Sequence, residues 1–421
     1  MRQTLLAFAL SLVPAHASAQ APPTPGTLTS IPTTPGSSET IDEIRRLYRV
    51  HAGPFYVSPA VLLKELGVDT NVFNEAGDPR QDFTFTATPQ ADLAIPIARR
   101  GLVRTLVGSD FVYYQKYETE RSVDPQVTVR AEAYARRLTF FAAGAYLNTR
   151  QRPNYEIDVR SRHLQNEATA GINVGITSRT SVEVGLQRGR LRFDGDTVFL
   201  GTSLSETLDQ DSEGGNLAVR HKLTTLTTVN ARYERLRERF PLSPVRDTNS
   251  YRIMPGVEFK PRALIKGFAY VGYRSFTPLS PLLPEYSGPV AQLGLSYTLL
   301  GATSFGVTYD RDITFSYQQA TPYFLDNSLG VFVRRAVGGR WDVMANAARH
   351  RYDYRALTAE ATAPLDARVD TTDNYGASLG YRLKKDTRVG LGASYYTRTS
   401  TVVTFRNYDG LRVGMTVTYG F

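Results

Sequence analysis

The final stretch of the chain, YDGLRVGMTVTYGF at residues 408–421, alternates strictly between two kinds of side chain. One set is apolar and comprises Leu411, Val413, Met415, Val417, Tyr419 and Phe421. The other set is small or polar and comprises Arg412, Gly414, Thr416, Thr418 and Gly420. Side chains of a β-strand alternate with a period of two, so this segment predicts a strand with one apolar face. Lipid and an aqueous lumen would suit the two faces, and so would the core and surface of a soluble sandwich.

The first residues of the chain predict export. Met1 and Arg2 give a positively charged start, Leu5 to Val13 form an apolar run, and Ala17-Ser18-Ala19 supplies the small residues of a cleavage site. We therefore interpret residues 1–19 as a signal peptide. A transmembrane helix needs about 20 apolar residues, and no later segment approaches that length. If the protein spans a membrane, it must do so with strands.

The composition is typical of a barrel in which only alternate residues face lipid. The chain has 25 Tyr and 20 Phe but no Cys, which excludes disulfides, thiolate metal ligands and cysteine nucleophiles. The formal charge is +9, yet the arginines are spread through alternating segments rather than gathered in a run. This distribution does not predict a nucleic-acid partner.

Residues 20–53 are predicted to form a periplasmic leader. Its first part, to about Ser38, is rich in Pro, Thr, Ser and Gly and should be flexible. After it, Ile41, Ile44, Leu47 and Tyr48 fit one face of a short amphipathic helix. Such a helix could rest on the mouth of a barrel or dock a periplasmic partner.

Residues 54–421 repeat the alternating pattern of the last strand. We interpret them as an all-β, antiparallel up-and-down transmembrane barrel of eighteen strands, with sixteen as the alternative, because boundaries read from sequence vary by about two to four residues. The predicted strands are 54–72, 82–96, 102–117, 123–135, 138–151, 162–177, 180–193, 213–223, 225–238, 248–259, 263–276, 286–300, 302–317, 322–335, 339–354, 371–383, 386–400 and 408–421.

The length of each connection depends on whether the strand before it has an even or an odd number. Connections after even-numbered strands are tight, as at Arg136-Arg137 and Ser178-Arg179, whereas several after odd-numbered strands are long, as at Asp194 to Ser212. Short periplasmic turns and long outer loops are typical of outer-membrane barrels. Apolar residues in the long loops either fold inward as a constriction or form surface contacts; they are Phe199, Leu200, Phe240, Leu242, Leu279, Leu282 and Leu283.

Alternation assigns the charged residues of the strands to the lumen, because an Arg or Lys facing lipid near the bilayer centre costs about 2–4 kcal/mol. The candidates for contact with a solute are Arg104, Arg130, Arg220, Arg232, Arg274, Arg388, Arg398 and Arg412, together with Tyr134, Tyr270 and Tyr396. Acidic residues predicted on the same inner face are Asp110, Glu132, Glu167 and Asp342.

Two interpretations of these inward residues stay open. The arginines could form a cationic wall that attracts an anionic solute, with the tyrosines stacking on sugar rings. Alternatively, the arginines pair with carboxylates on neighbouring strands and fill space, and the tyrosines pack against them.

A family resemblance is carried by the first predicted hairpin. It comprises Leu66 to Phe73, then Asp78-Pro79-Arg80-Gln81-Asp82, and a second strand from Phe83 to Pro96. The hairpin resembles the opening of the β-barrel porin 2 family, outer-membrane proteins often encoded among exopolysaccharide biosynthesis genes. The resemblance is clearest over residues 54–117. It implies an outer-membrane channel, in some members for exported polysaccharide working with a periplasmic polysaccharide-export protein, and it brings no catalytic residues.

The end of the chain also resembles a known signal. Tyr419 and the terminal Phe421 are similar to the aromatic ending by which the barrel assembly machinery recognises outer-membrane proteins. The resemblance therefore implies two further partners, the assembly machinery and the lipid of the outer membrane.

The sequence predicts a porin-like channel for exopolysaccharide or another polar or anionic solute. An enzyme is not expected, because the histidines of the mature chain stand beside no Ser and acid at interpretable spacing, and no cofactor or metal site is expected. The chain is also too short for a large plug domain. A structural or adhesive barrel and a nutrient-uptake porin are the alternatives.

Overall fold

The computed structural model describes Tyr48 and residues 50–98, 100–260, 263–358 and 368–420. The signal peptide, the leader before Tyr48 with its predicted helix, and Phe421 lie outside these residues. Eighteen antiparallel strands form a closed barrel, so the predicted number is confirmed. They are β1 (Phe55–Asp69), β2 (Asp82–Ile97), β3 (Gly101–Tyr114), β4 (Ser122–Ala135), β5 (Leu138–Thr149), β6 (His163–Gly175), β7 (Thr180–Phe193), β8 (Gln210–Lys222), β9 (Thr227–Arg239), β10 (Thr248–Phe259), β11 (Ile265–Pro278), β12 (Tyr286–Leu299), β13 (Thr303–Phe315), β14 (Tyr323–Val337), β15 (Trp341–Arg355), β16 (Val369–Lys384), β17 (Thr387–Ser400) and β18 (Tyr408–Tyr419).

The barrel closes because β1 pairs with β18. The register runs from Val61 opposite Tyr419 to Asp69 opposite Arg412. A β-bulge interrupts β1 between Leu63 and Leu66, where Glu65 has a φ of 56°. The bulge bends the first strand and shifts its alternation, which the uninterrupted pattern predicted for residues 54–72 did not anticipate.

The lengths of the connections follow the predicted parity. Tight turns follow the even-numbered strands, as at Leu300-Gly301, where both residues have positive φ and so match the right-handed twist of the flanking strands. Long loops follow the odd-numbered strands. At the short-turn rim, Val50–Ala52 form a three-residue strand that pairs with the start of β1, so the last residues of the leader are extended.

Lipid-facing positions are large and apolar. Leu186 is 70% exposed, Val271 65% and Leu391 58%, and each is followed in sequence by a residue that points inward. Such a continuous apolar surface is not found on soluble monomers, whereas it matches the outward band of a membrane barrel. Among the described residues, no helix is long and apolar enough to cross a membrane.

The main apolar core of the molecule lies among the long loops. The β7–β8 loop contains a small hairpin, Val198–Phe199 with Thr202–Ser203, and the helix α1 (Leu204–Leu208), neither of which was predicted. We call the following cluster the loop core: Ile157, Leu191, Phe193, Phe199, Leu204, Leu208 and Tyr317.

The apolar loop residues divide between the two predicted fates. Phe199, Phe240 and Leu283 are buried, whereas Leu200, Leu242, Leu279 and Leu282 are exposed. The interpretation of an inward constriction therefore holds for the first three residues only.

The pairing of β1 with β18, which we call the closing seam, generates a prediction about stability. A Cβ atom on Gly67 of β1 would lie 2.0 Å from the carbonyl oxygen of Val413 on β18, and a backbone atom cannot give way cheaply. We expect Gly67→Val to destabilise the barrel by about 1–3 kcal/mol. The midpoint temperature at which folded protein converts to the slowly migrating form in detergent gels should fall accordingly.

Gly144→Ala is the matched control for this prediction, since its added Cβ would meet its nearest neighbours at an ordinary 3.7 Å. Equal midpoints for the two variants would contradict the seam argument.

Candidate functional site

The loop between β5 and β6, residues 150–162, crosses the inside of the barrel. We call it the crossing loop. The β5–β6 hairpin lies opposite β14 and β15 in the ring of eighteen strands. Nevertheless, the Tyr155 ring lies 4.7 Å from the His350 ring on β15. The crossing loop therefore spans the lumen and restricts the path through it.

The crossing loop is shaped locally by Asn154. Its Oδ1 accepts hydrogen bonds from the backbone N–H groups of Glu156, at 2.8 Å, and Ile157, at 3.0 Å. This is the turn geometry that an Asn side chain favours. Farther along, Arg152 donates to the carbonyl oxygen of Val72 in the β1–β2 loop at 2.7 Å. These contacts give the loop a defined shape and position.

Glu156 anchors the crossing loop to the β13–β14 loop. Its carboxylate is fully buried and accepts a hydrogen bond from the Ser316 hydroxyl at 2.6 Å, and Arg406 donates to its backbone carbonyl oxygen, also at 2.6 Å. Burial raises the pKa of Glu156, a loop residue outside the membrane-spanning strands.

A second anchor consists of Arg398, Arg406, Asp158 and Asp370, which we call the arginine latch. Asp158 of the crossing loop accepts from Arg398 at 3.1 Å and also from Arg406, and Arg398 donates to Asp370 at 2.6 Å. The Arg398 side chain is completely buried. A buried guanidinium without partners would cost several kcal/mol, so the latch holds the loop only while its carboxylates are in place.

Beside the latch, the crossing loop and the walls of β15 to β18 enclose a polar chamber. Two of its polar atoms, Nδ2 of Asn154 and Oγ1 of Thr372, are buried yet have no hydrogen-bond partner among the described residues. Amide, hydroxyl and phenol groups can both donate to and accept from a hydroxyl-rich solute. The lining residues include Asn74, Gln151, Arg152, Asn154, Tyr155, Ala348, His350, Thr372, Asn374, Tyr396, Tyr408 and Arg412.

All eight candidate arginines lie on the inner face, and each is paired with a carboxylate. This arrangement favours the interpretation in which the arginines pair with carboxylates, but only four of the eight partners lie on a neighbouring strand. Arg130 and Arg232 pair within their own strand, and Arg274 and Arg388 reach the second strand along. The shortest pairs are Arg104–Asp92 (2.8 Å), Arg130–Glu132 (2.7 Å), Arg220–Glu183 (2.6 Å), Arg232–Glu234 (3.4 Å), Arg274–Asp312 (2.6 Å), Arg388–Asp342 (2.7 Å), Arg398–Asp370 (2.6 Å) and Arg412–Asp69 (2.5 Å).

Some inward carboxylates lack such compensation. Glu167, Glu258 and Asp310 make no ion pair with any residue in the described part of the chain. Glu258 instead accepts hydrogen bonds from Asn230 and Tyr270. These three acids therefore leave carboxylate groups on the wall without an ion-pair partner in the described part of the chain.

The candidate tyrosines are bound to carboxylates through their hydroxyls. Tyr134 donates to Glu132 at 2.6 Å, Tyr396 donates to Asp69 at 2.7 Å, and Tyr270 donates to Glu258. The Arg412 guanidinium also lies 4.7 Å from the centre of the Tyr396 ring. Of the three tyrosines, Tyr396 is the one that also lines the polar chamber.

Sequence reasoning missed the residues of the crossing loop. Glu156, Asp158 and Arg406 were not singled out, because loops carry no periodicity that assigns a side chain to a face. The available signal was compositional, since the loop sequence RQRPNYEIDVRSR at 150–162 contains two acids, four arginines and a tyrosine. Its partners could not be read from that composition.

The latch generates a prediction about the mobility of the crossing loop. Asp158→Ala would leave Arg406 and part of Arg398 unpaired, which costs about 3–5 kcal/mol for a buried pair. We expect the loop to detach and trypsin to cleave after Arg160, which precedes Ser161, at least about tenfold faster in the folded barrel. Asp196→Ala, at an exposed position of the β7–β8 loop, is the control and should cleave like the parent protein. Unchanged cleavage of Asp158→Ala would show that other contacts hold the loop.

Comparison with solved structures finds distant similarity to outer-membrane proteins of Pseudomonas. The chain is similar in fold to a BenF-like porin from Pseudomonas fluorescens Pf-5, with 10% identity, coverage of 86% of this chain and 98% of the porin, and a TM-score of 0.48. It is also similar to OccK3 (OpdO) from Pseudomonas aeruginosa, with 10% identity, coverage of 86% and 95%, and a TM-score of 0.45. The siderophore receptor PirA from Pseudomonas aeruginosa gives 10% identity, coverage of 88% and 81%, and a TM-score of 0.42.

No curated protein matches the sequence significantly. A family profile described as "Putative beta-barrel porin 2" matches residues 50–421, which include every strand of the barrel. The predicted family is thereby confirmed, and the chain belongs to the beta-barrel porin 2 family of outer-membrane porin-like proteins.

Proposed function

We propose that this protein is a channel for a hydroxyl-rich solute and that its specific role is the export of an exopolysaccharide. The observation that carries the proposal is the polar chamber, in which the unpartnered Asn154 amide and Thr372 hydroxyl lie near tyrosines. Sugars present many hydroxyls and apolar ring faces, and such a lining complements both. Membership in the porin family supports transport over catalysis.

An uncharged solute fits the lumen better than an anionic one. The eight candidate arginines are compensated by carboxylates at 2.5 to 3.4 Å, while Glu167 and Asp310 carry no cationic partner among the described residues. Anion selectivity needs positive potential that is not cancelled locally. The arginines therefore contribute to the shape and rigidity of the wall more than to attraction of anions.

Passage of a polymer requires that the crossing loop move. Ile157 and Leu204 of the loop core are fully buried, and the arginine latch joins the crossing loop to β17 and to the loop that follows it. We propose that the crossing loop acts as a gate. A periplasmic polysaccharide-export protein would reach the barrel at its short-turn rim, where Val50–Ala52 pair with the start of β1.

The same packing also favours a second candidate, a structural barrel without transport, because buried loop contacts would keep the lumen closed. Uptake of a nutrient through the same chamber differs from export in direction only. Assembly by the barrel assembly machinery, with Tyr419 and Phe421 as its signal, is part of the proposal in each case.

A conductance experiment separates a channel from a structural barrel. We expect the purified protein to conduct ions in planar bilayers, and neutral oligosaccharides to block the current from the long-loop side. Thr372→Val should weaken this block by about two- to tenfold, the effect of one lost hydrogen bond. Thr371→Val, at the neighbouring lipid-facing position, is the matched control. Absence of current, even after Asp158→Ala releases the crossing loop, would favour the structural barrel.

The distribution of charge predicts the ion selectivity. Glu167 and Asp310 should give the open channel a mild preference for cations, and Glu167→Gln with Asp310→Asn should reduce the cation-to-anion permeability ratio by roughly twofold. Reversal potentials in a salt gradient measure this ratio. The control is Arg388→Gln with Asp342→Asn, which removes one charge of each sign from a paired site and should leave the ratio unchanged. A channel that prefers anions would refute the inference that carboxylates without an ion-pair partner set the ion selectivity.

A further inference from the structure

The outer surface of β7, β8 and β9 carries arginines above its apolar band. On β7 the outward residues Val184 and Leu186 are followed by Arg188 and Arg190 toward the long-loop end. On β9, the outward residue Tyr233 is likewise followed by Arg235 and Arg237 toward the long-loop end. We call this set the outer arginine patch; its members are Arg188, Arg190, Arg192, Arg235, Arg237 and Arg239.

Strand register places the acids of the patch between its arginines. On β8, Glu213 stands opposite Arg188 on one side and Arg237 on the other. One step farther toward the loops, Asp211 lies 3.0 Å from Arg190 and 2.6 Å from Arg192. Among the described residues, Asp211 is therefore shared by two guanidinium groups, Glu213 pairs with Arg188 alone, and the patch has an excess of positive charge.

Arg235 and Arg237 hold much of that excess. Both are exposed on the outward face of β9, and within the described part of the chain neither makes an ion pair or hydrogen bond. Arg188 is also weakly held, since its Nε lies 3.6 Å from Glu213 and 65% of its side chain is exposed. Several donors of the patch are thus free to bind an external anion.

Outward arginines elsewhere on the barrel differ in their partners: Arg311 on β13 donates to neutral oxygens of Pro289 and Asn327, whereas two arginines of β15 each have a carboxylate. On β15, Arg349 forms a two-pronged hydrogen-bonded pair with Asp373, at 2.6 and 3.0 Å, and Arg351 pairs with Asp353 at 2.9 Å. The cluster of several arginines around few acids on β7 to β9 therefore differs from β15, where each of these outward arginines has its own carboxylate.

The position of the patch indicates what lies against it. An unpaired guanidinium near the bilayer centre would cost about 2–4 kcal/mol, and this cost falls to about 0–1 near the interface. Tyr233 lies just below Arg235 and Tyr251 stands opposite Arg235, with the two ring centres 6.3 Å apart, and aromatic residues of this kind mark the interface. The long loops continue from the same strand ends, which places the patch at the headgroups of the outer leaflet.

We propose that the outer arginine patch binds the phosphate groups of an outer-leaflet lipid. A guanidinium matches phosphate geometry with two parallel hydrogen bonds, and a partly dry interface strengthens such charged bonds. The lipid would compensate Arg235 and Arg237 and fix the height of this side of the barrel in the membrane. This binding is independent of whether the lumen conducts.

The test uses the full barrel in phosphate-free detergent, titrated with bisphosphorylated lipid A, with enzymatically dephosphorylated lipid A, and with inorganic phosphate. We expect the protein to bind the bisphosphorylated lipid at least about tenfold more tightly than the dephosphorylated lipid. Arg235→Gln with Arg237→Gln should reduce the first affinity to the level of the second. Arg349→Gln with Asp373→Asn, a neutral outward pair at a similar height, is the control and should bind like the parent protein.

Three results would overturn the proposal. Equal affinity of the parent protein for the two lipids would do so without any variant, and so the test does not depend on the folding of the substituted chain. Undiminished binding by the double arginine variant, with normal heat-dependent gel migration, would show that the lipid binds elsewhere. Binding of inorganic phosphate as tight as that of the lipid would indicate a site for free anions instead.

Discussion

Closure of the hydrogen-bonded sheet is the constraint on which the rest of this structure depends. Lipid offers no partner to a backbone N–H or carbonyl group, so each strand must be paired on both edges. Here the requirement is met by β1 and β18, which join across a seam that includes Gly67. Once the ring is closed, the pleat assigns each residue to lipid or to lumen, and the positions of charged side chains follow.

A barrel of this size encloses more space than its wall side chains can fill. Ion pairs between strands fill part of this space along the wall, and the crossing loop fills part of it at the long-loop end. Its carboxylates, Glu156 and Asp158, are held by residues on the far side, which couples the loops to one another. Because these groups are buried, the loop has a defined docked position rather than a diffuse one, and a defined position is what a gate requires.

Arginine has two different roles on the two faces of the wall. Inside, Arg398 and Arg412 are compensated by acids of neighbouring strands and lend rigidity. Outside, Arg235 and Arg237 lie above the apolar band without such acids and face the membrane surface. The same side chain therefore stabilises the wall from within and contributes an anion-binding surface from without, according to which neighbours the register supplies.

The sequence by itself determined the strand number, the parity of the turns and the face on which the eight candidate arginines lie, because all three depend on a period of two along a continuous segment. Only the tertiary structure decided what those arginines meet. Arg398 and Asp158 are 240 residues apart in the chain, and the β1 bulge at Glu65 and the course of the crossing loop leave no periodic trace. Alternation carries information along one strand, whereas ion pairs and loop positions depend on contacts between segments distant in sequence, which exist only once the barrel has closed.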